Sequence, residues 1–275
     1  MALLNKLKSI IISVSKPYKI ILFGFHAASN SIKNVSGVPA TFQYYDLLVI
    51  VRNCNPKDLL ELQTLMENIC LNHGPVNIIL HTIDQINGAL QTGNYFLCQL
   101  IEHGVPLYDN TPGPLSPASK TDFVQTKETA TYNFRQWSDQ AKAFSKCAKF
   151  SLVHKYDRTC AFLLHQAVEQ MYQAIILTHA GYKPITRNLG KLKRSIAHWA
   201  IKAALVFPDE TSQDRKLFNI LVAAYKEARY DTEFHILKKD LEELAGRVDR
   251  LIDLGEAACL KYLDLLTSLS AQDTS

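Results

Sequence analysis

The 275-residue sequence lacks the features that mark zinc-binding, disulfide-rich or membrane proteins. Its six cysteines are scattered, with no C-x-x-C pair and no spacing that suits a zinc site. No apolar run reaches the roughly 18 residues that a membrane-spanning helix needs. Several cysteines fall inside apolar helical patterns, which is typical of reduced core thiols. We therefore predict a cytoplasmic protein with no membrane partner.

The sequence also has little excess charge of either sign. Its net charge is +4, with 47% hydrophobic and 20% charged residues, as in globular chains long enough for two domains. So small an excess does not by itself establish a nucleic-acid partner. Lys6 and Lys8 lie inside an amphipathic pattern over residues 1–14, and no small-residue cleavage site follows. This pattern predicts a first helix rather than a signal peptide.

The first 110 residues alternate short apolar runs with helical patterns. Strands are predicted at 19–24, 46–51, 76–81 and 105–108, and helices at 56–72 and 93–103. Runs that are apolar almost throughout are typical of strands covered on both faces. The pattern predicts an α/β domain with a small mixed sheet over residues 1–110.

A proline-rich segment and a helical region follow. Three prolines with Gly, Ser and Asn between residues 109 and 119 interrupt any regular element, so residues 111–122 are predicted to be a linker. Long helical patterns then cover 121–150, 156–180, 188–206, 211–229 and 236–269, with Gly181 as the C-cap of the second. They predict an all-α, up-down bundle over residues 123–270, and an α+β fold for the whole chain.

The order of elements over residues 15–110 resembles the minimal nucleotidyltransferase fold. In that family a Gly-Ser turn opens a helix that holds a triphosphate, and three carboxylates bind two Mg²⁺ ions. Here the predicted turn is Gly24-Phe25, Tyr44 and Asp46 stand at the paired carboxylate positions, and Asn77 stands at the third. The resemblance implies an inactive domain with no Mg²⁺ site.

Two questions stay open in this half of the sequence. Gly24, Phe25 and Asp46 are candidates for binding a nucleotide, which is the one cofactor that the resemblance suggests. The alternative for Asp46 is a surface or edge carboxylate at the start of a strand. Residues 29–43 form a longer link than this fold usually has, and the sequence does not decide whether they make a new site.

The second half resembles the HEPN domains, which are helical domains often paired with nucleotidyltransferases. The resemblance spans residues 125–268 and rests on five stretches in the order of that family: 164–169 (LHQAVE), 174–176 (AII), 181–184 (GYKP), 188–192 (NLGKL) and 225–230 (YKEARY). His165 and Glu169 fall at i and i+4 on one helix face. That spacing suits packing and hydrogen bonding, with metal binding as the alternative. The family also implies a homodimer through the bundle.

Many HEPN proteins are ribonucleases that carry an Arg followed, four to six residues later, by a His. The Arg can hold a phosphate through two hydrogen bonds, and the His can move a proton near neutral pH. Arg229 and His235 satisfy this spacing and are the candidate catalytic pair of a metal-independent RNase of the toxin or defence type. The alternative is an Arg229 that pairs within the bundle and a His235 in a solvated connector.

Basic residues gather in the same half, at Lys183, Arg187, Lys191, Lys193, Arg194, Lys238 and Lys239. They indicate either contact with a polyanion such as RNA or ordinary solvated helix faces. The sequence thus leaves two hypotheses for function. One is a non-catalytic nucleotide- or RNA-binding regulatory dimer, in effect a pseudoenzyme. The other is an RNase that uses Arg229 and His235.

Overall fold

The structure is a computed structural model that describes residues 2–33, 39–110, 113–184 and 186–273. The chain divides into two compact units, Met1–Asp122 and Phe123–Ser275. A small mixed sheet lies in the first unit, and the second is helical, so the predicted α+β fold is confirmed.

The first unit surrounds a four-stranded sheet with helices. Its elements are α1 (Ala2–Ser15), β1 (Lys19–Lys33), β2 (Pro39–Val51), α2 (Pro56–Leu71), β3 (Val76–Thr82), α3 (Ile83–Gln91), α4 (Tyr95–His103) and β4 (Val105–Asp109). The strand order is β3-β2-β1-β4, with β2 parallel to β3 and the other pairs antiparallel. The predicted strand at 105–108 is therefore an edge strand, where Pro106 is tolerated.

The core of this unit lies on β2. Every side chain from Tyr44 to Val51 is buried, and the odd-numbered residues of this stretch pack with α1 and α2 through Leu7, Ile11 and Met66. Because side chains alternate across a strand, burial of the whole run requires cover on both faces of the sheet. The near-continuous apolar sequence of β2 reflects this cover.

One local prediction for this unit is wrong, and one helix was not predicted. Gly24-Phe25 is not a turn, because β1 continues through it to Lys33 and pairs with β2 along most of that length. Much of the segment 29–43 is thus strand, and residues 34–38 lie outside the described part. The helix α3 was not predicted from the sequence, since only Ile86 and Leu90 are buried along it. A capping box between Thr82 and Gln85 starts this helix.

Where the structure describes the second unit, three long helices and four shorter ones form it. Its elements are α5 (Phe123–Val153), α6 (Asp157–Ala180), α7 (Leu189–Ile196), α8 (Ile201–Ala204), α9 (Ser212–Ala224), α10 (Glu227–Tyr230) and α11 (Lys238–Asp273). The central helix is α6, which packs against both α5 and α11 and is buried along most of its length. No helix among the described residues has the length and apolarity to cross a membrane.

Two helices predicted as continuous are interrupted. The pattern at 188–206 divides into α7 and α8, and the pattern at 211–229 divides into α9 and α10. At the second break, Nδ1 of the buried His165 lies 2.9 Å from the carbonyl oxygen of Leu221. Because a carbonyl oxygen only accepts, Nδ1 donates this hydrogen bond. The contact engages a carbonyl in the last turn of α9, where the helical ladder ends.

Candidate functional site

Asp46 is buried between strands rather than exposed at a strand start. Its residue is fully buried, and its carboxylate accepts a hydrogen bond of 2.8 Å from the Asn77 side chain. Gly24 faces it across the β1–β2 pair, and a Cβ at Gly24 would collide with the Asp46 carboxylate. The surface or edge position considered for Asp46 is therefore wrong. Glycine at position 24 provides the room that this buried carboxylate needs.

The described residues contain no cluster of three or more His, Cys, Asp or Glu side chains arranged to hold a metal ion. Phe25 is half exposed, and its ring lies 5.1 Å from that of Tyr45 on the neighbouring strand. The pair is a cross-strand aromatic contact. Nucleotide binding by Gly24, Phe25 and Asp46 stays a prediction.

Arg229 is an exposed residue of α10, and its guanidinium contacts a backbone carbonyl oxygen and aromatic rings nearby. Its Nε donates a hydrogen bond of 2.7 Å to the carbonyl oxygen of Tyr225. The guanidinium carbon lies 4.5 Å from the ring centre of Tyr225, 4.9 Å from that of Tyr230 and 5.5 Å from that of Phe162. At these distances each ring attracts the cation. The side chain is therefore oriented by three aromatic neighbours.

His235 lies in the exposed connector between α10 and α11. Among the described residues no hydrogen bond or ion pair joins it to Arg229. The acidic side chains of Asp231 and Glu233 are exposed in the same connector, and Asp231 accepts a hydrogen bond of 2.9 Å from the Glu233 backbone. The structure thus places both residues at the surface, with no hydrogen bond or ion pair between them in the described part of the chain.

His165 and Glu169 are buried together on α6, as their spacing predicted. His165 Nε2 lies 3.7 Å from Glu169 Oε2, and Gln166 donates a hydrogen bond of 3.3 Å to the same oxygen. The nearest basic group to the other oxygen, Oε1, is the Arg187 side chain, with Nε 4.0 Å away. A buried carboxylate with such long contacts is poorly compensated for its lost hydration.

Glu169 opens onto a cavity of about 470 Å³, which we call the polar cleft. Four polar residues of α6, one aromatic residue of α5 and three residues from the segment after α6 line it: Gln166, Glu169, Gln170, Gln173, Trp137, Lys183, Pro184 and Arg187. Residues three, four and seven apart share a helix face, so the α6 residues form one stripe. The stripe is the polar interruption of an otherwise apolar helix.

Gly181 brings the basic side of the cleft into place. It ends α6 in the left-handed conformation, with φ of 71°, and donates its N–H to the Leu177 carbonyl oxygen. This is a conformation that glycine adopts without strain. The reversal of the chain carries Lys183 to Trp137, where Nζ lies 4.4 Å from the ring centre, and carries Arg187 to Glu169.

Gln173 lies at the floor of the cleft and is 2% exposed. Its side-chain oxygen is buried and forms no hydrogen bond with any residue in the described part of the chain. A buried polar atom without a partner costs free energy, roughly 1–3 kcal/mol. Sequence reasoning missed both Gln173 and Trp137. The signal available for Gln173 was its i+4 spacing from Glu169, whereas nothing in the sequence linked Trp137 to either.

The predicted basic cluster separates into different environments. Lys183 and Arg187 are exposed at the cleft, while Lys193 is largely buried and bonded to the Phe207 carbonyl oxygen. Burial lowers the pKa of Lys193 below its ordinary value. Lys238 pairs with Glu242 at 3.5 Å on α11. Lys183 and Arg187 line the cleft, whereas Lys193 and Lys238 do not.

Comparison with known proteins identifies the helical part of the chain. No curated protein matches the sequence. The family model described as HEPN domain matches residues 134–258, a range that contains Glu169, Arg229 and His235. The matched range excludes the first unit, so its resemblance to nucleotidyltransferases stays a prediction. The bundle that carries the polar cleft and the Arg229 surface is a HEPN domain at residues 134–258.

Proposed function

We propose that the protein is a non-catalytic nucleotide- or RNA-binding regulatory protein whose HEPN bundle provides the binding surface. The observation that carries this proposal is the polar cleft, in which a buried carboxylate and a buried amide oxygen with no partner among the described residues lie beside two exposed cations and an indole ring. Phosphates are attracted by cations, and bases stack on aromatic rings. The first unit, with Asp46 buried, is proposed as a degenerate nucleotidyltransferase-like domain.

The state of the Arg229 surface supports a role without catalysis. A general base acts within hydrogen-bonding reach of the proton that it removes. Among the described residues no hydrogen bond or ion pair joins His235 to Arg229, and the Arg229 guanidinium lies against three aromatic rings. An RNase that used this pair would have to bring His235 and the phosphate to Arg229 together.

The proposal includes a homodimer formed through the bundle. Large apolar side chains are exposed in this unit, among them Phe150, Val153, Tyr156, Tyr230 and Leu237. Covering exposed apolar side chains with a second protein surface removes them from water and lowers the free energy. These five residues lie in the α5–α6 and α10–α11 connectors and at the helix ends beside them. We propose this region as the dimer contact.

The second candidate function is a metal-independent RNase of the toxin or defence type. It is favoured by one specific observation, the spacing of Arg229 and His235 within the HEPN match, with both residues exposed to an incoming RNA. In this alternative Arg229 holds the scissile phosphate and His235 transfers the proton.

Replacing both cations of the cleft tests the binding proposal. In Lys183→Gln/Arg187→Gln we expect the affinity for a single-stranded RNA of mixed sequence to fall about tenfold or more, with a shallower dependence on salt, because two phosphate contacts are lost. Fluorescence anisotropy at several salt concentrations measures both effects.

The proposed homodimer is tested separately by light scattering on the two proteins. The measured mass should be twice that of the chain for both proteins.

Lys146→Gln/Lys261→Gln is the matched control, because it removes the same charge from exposed positions outside the cleft. Equal loss of affinity in the two double variants would show that only net charge matters. No RNA or nucleotide binding by the unchanged protein would contradict the proposal itself.

A further inference from the structure

The floor of the polar cleft contains two acceptor oxygens without a close donor among the described residues. A carboxylate only accepts hydrogen bonds, and within the described part of the chain no donor approaches Glu169 Oε1 more closely than Arg187, at 4.0 Å. One helical turn further along α6, the Gln173 side-chain oxygen is buried with no described partner. The amide of Gln166 is already engaged with Glu169 Oε2. A ligand that satisfies these two oxygens therefore presents hydrogen-bond donors, such as N–H groups, to them.

The wall of the cleft selects for a flat group. Lys183 Nζ lies over the Trp137 ring at 4.4 Å from its centre, and both side chains line the cleft. Arg187 is 71% exposed at the rim, where an anionic part of a ligand remains in contact with water. A planar ring that displaces the Lys183 ammonium from Trp137 frees this cation to meet the same anion.

The four nucleobases differ in what they offer to such a floor. The pairing edge of guanine carries two adjacent donors, N1–H and the 2-amino group. Adenine and cytosine each place an amino group beside a ring nitrogen that only accepts, and uracil places one N–H between two carbonyl oxygens. A carboxylate that meets guanine can accept two hydrogen bonds side by side, whereas it faces a repulsive acceptor on each of the other bases.

We propose that the polar cleft is a guanine-selective site, in which Glu169 and Gln173 accept hydrogen bonds from the guanine pairing edge, Trp137 stacks on the base, and Lys183 and Arg187 contact the phosphate. This inference rests on the proposed function and names its ligand. The ligand is either a free guanosine nucleotide or an unpaired guanine in RNA. The recognised chemistry is the same in both cases.

Calorimetric titration of the full chain with the four nucleoside 5′-monophosphates tests the inference. GMP should bind about tenfold or more tightly than AMP, CMP or UMP, since a well-placed pair of hydrogen bonds discriminates by at least that factor. IMP lacks the 2-amino group, and we expect it to bind more weakly than GMP. This comparison needs no variant, so it holds even where a substitution disturbs folding.

Glu169→Gln should reduce the preference for GMP to less than about threefold, because an amide offers a donor as well as an acceptor. Glu128→Gln, at an exposed position of α5 outside the cleft, is the matched control and should keep the preference. Thermal unfolding of each variant establishes that it is folded. Loss of the preference in Glu128→Gln, or its persistence in folded Glu169→Gln, would overturn the assignment.

The remaining outcomes separate this inference from the proposed function. Equal binding of all four nucleotides would overturn guanine selectivity and leave nucleotide binding standing. If neither the nucleotides nor RNA bind, both proposals fall. An oligouridine with one internal guanine distinguishes the sources: tight binding to this RNA and weak binding of GMP identifies RNA as the ligand, and the reverse order identifies the free nucleotide.

Discussion

Lys216→Met is expected to lower the free energy of unfolding of the helical unit by about 2–4 kcal/mol, the largest single-residue effect that we expect. Asp240, in the first turn of α11, is 1% exposed. Its carboxylate accepts hydrogen bonds from Lys216 at 2.6 Å and Gln213 at 3.1 Å, both on α9. Burial tends to raise the pKa of Asp240, yet these hydrogen bonds bring it below its ordinary value.

The size of the effect follows from what the substitution leaves behind. Methionine keeps the length of the lysine stem but removes its charge, so Asp240 remains buried without its cation. The expected loss of stability is smaller than for a fully buried ion pair, because the Lys216 side chain is about half exposed and water partly screens its charge. The ion pair also joins α9 to α11, which flank α10 and therefore Arg229. Its loss should loosen that surface first.

Urea unfolding of the unchanged protein and the variant measures this loss. Lys226→Met removes a charge from an exposed residue just beyond α9 and should change stability little. Adding Asp240→Asn to Lys216→Met should restore part of the loss, because the buried group is then neutral. A Lys216→Met protein as stable as the Lys226→Met protein would show that the buried carboxylate does not depend on this lysine.

The second large effect is a loss of stability in weak acid. His179 is buried on α6, with Nδ1 2.8 Å from the Ile175 carbonyl oxygen and its ring stacked with those of Tyr262 and Trp199. Burial and, to a smaller extent, the nearby His198 together lower the pKa of His179 from 6.5 to about 4, while the hydrogen bond to Ile175 opposes this shift. In the unfolded chain the imidazole takes up its proton near pH 6.5, whereas in the folded chain it does so only near pH 4.

The unfolded state therefore binds more protons throughout this interval, and stability falls as the pH is lowered from about 6.5 to about 4. The lowered pKa corresponds to about 3 kcal/mol over the whole window. The carboxyl groups of Asp214 and Asp240, whose pKa values are lowered, contribute their own loss at lower pH, below their ordinary value of 3.8. The two windows are therefore distinct.

Urea unfolding at constant ionic strength between pH 4.5 and 7.5 measures this dependence. His179→Phe keeps an aromatic ring but cannot take up a proton, so its unfolding free energy should vary less over this range. Ile176→Val is the control, since it weakens the same helix at a fully buried position and leaves His179 in place. An unchanged pH slope in His179→Phe would contradict the assignment to His179.

Periodic features of the fold could be predicted from the sequence, whereas features that depend on contacts distant in sequence could not. The long helices α5, α6 and α11 were predicted because their apolar residues recur at helical spacing over many turns. The turn predicted at Gly24 is instead part of β1, where the missing Cβ leaves room for Asp46 across the sheet. The end of α9 was not predicted, and there the Leu221 carbonyl oxygen accepts a hydrogen bond from His165 on another helix.

The candidate sites follow the same division. Arg229 and His235 could be named from spacing along the chain, and Glu169 from its i+4 relation to His165. The polar cleft could not be foreseen, because Trp137 and Lys183 meet only after α5 and α6 fold together and Gly181 reverses the chain. A pattern within one helix identifies a stripe of polar residues but not the residues that other elements bring to it.

The most direct test of a binding role without catalysis is the integrity of RNA. End-labelled single-stranded RNA is incubated at neutral pH with the unchanged protein, Arg229→Ala and His235→Ala, with a chelator present to silence metal-dependent nucleases. If the protein binds RNA without cleaving it, the RNA should bind and should stay full length with all three proteins. Cleavage by the unchanged protein that both substitutions abolish would contradict this expectation and establish the RNase.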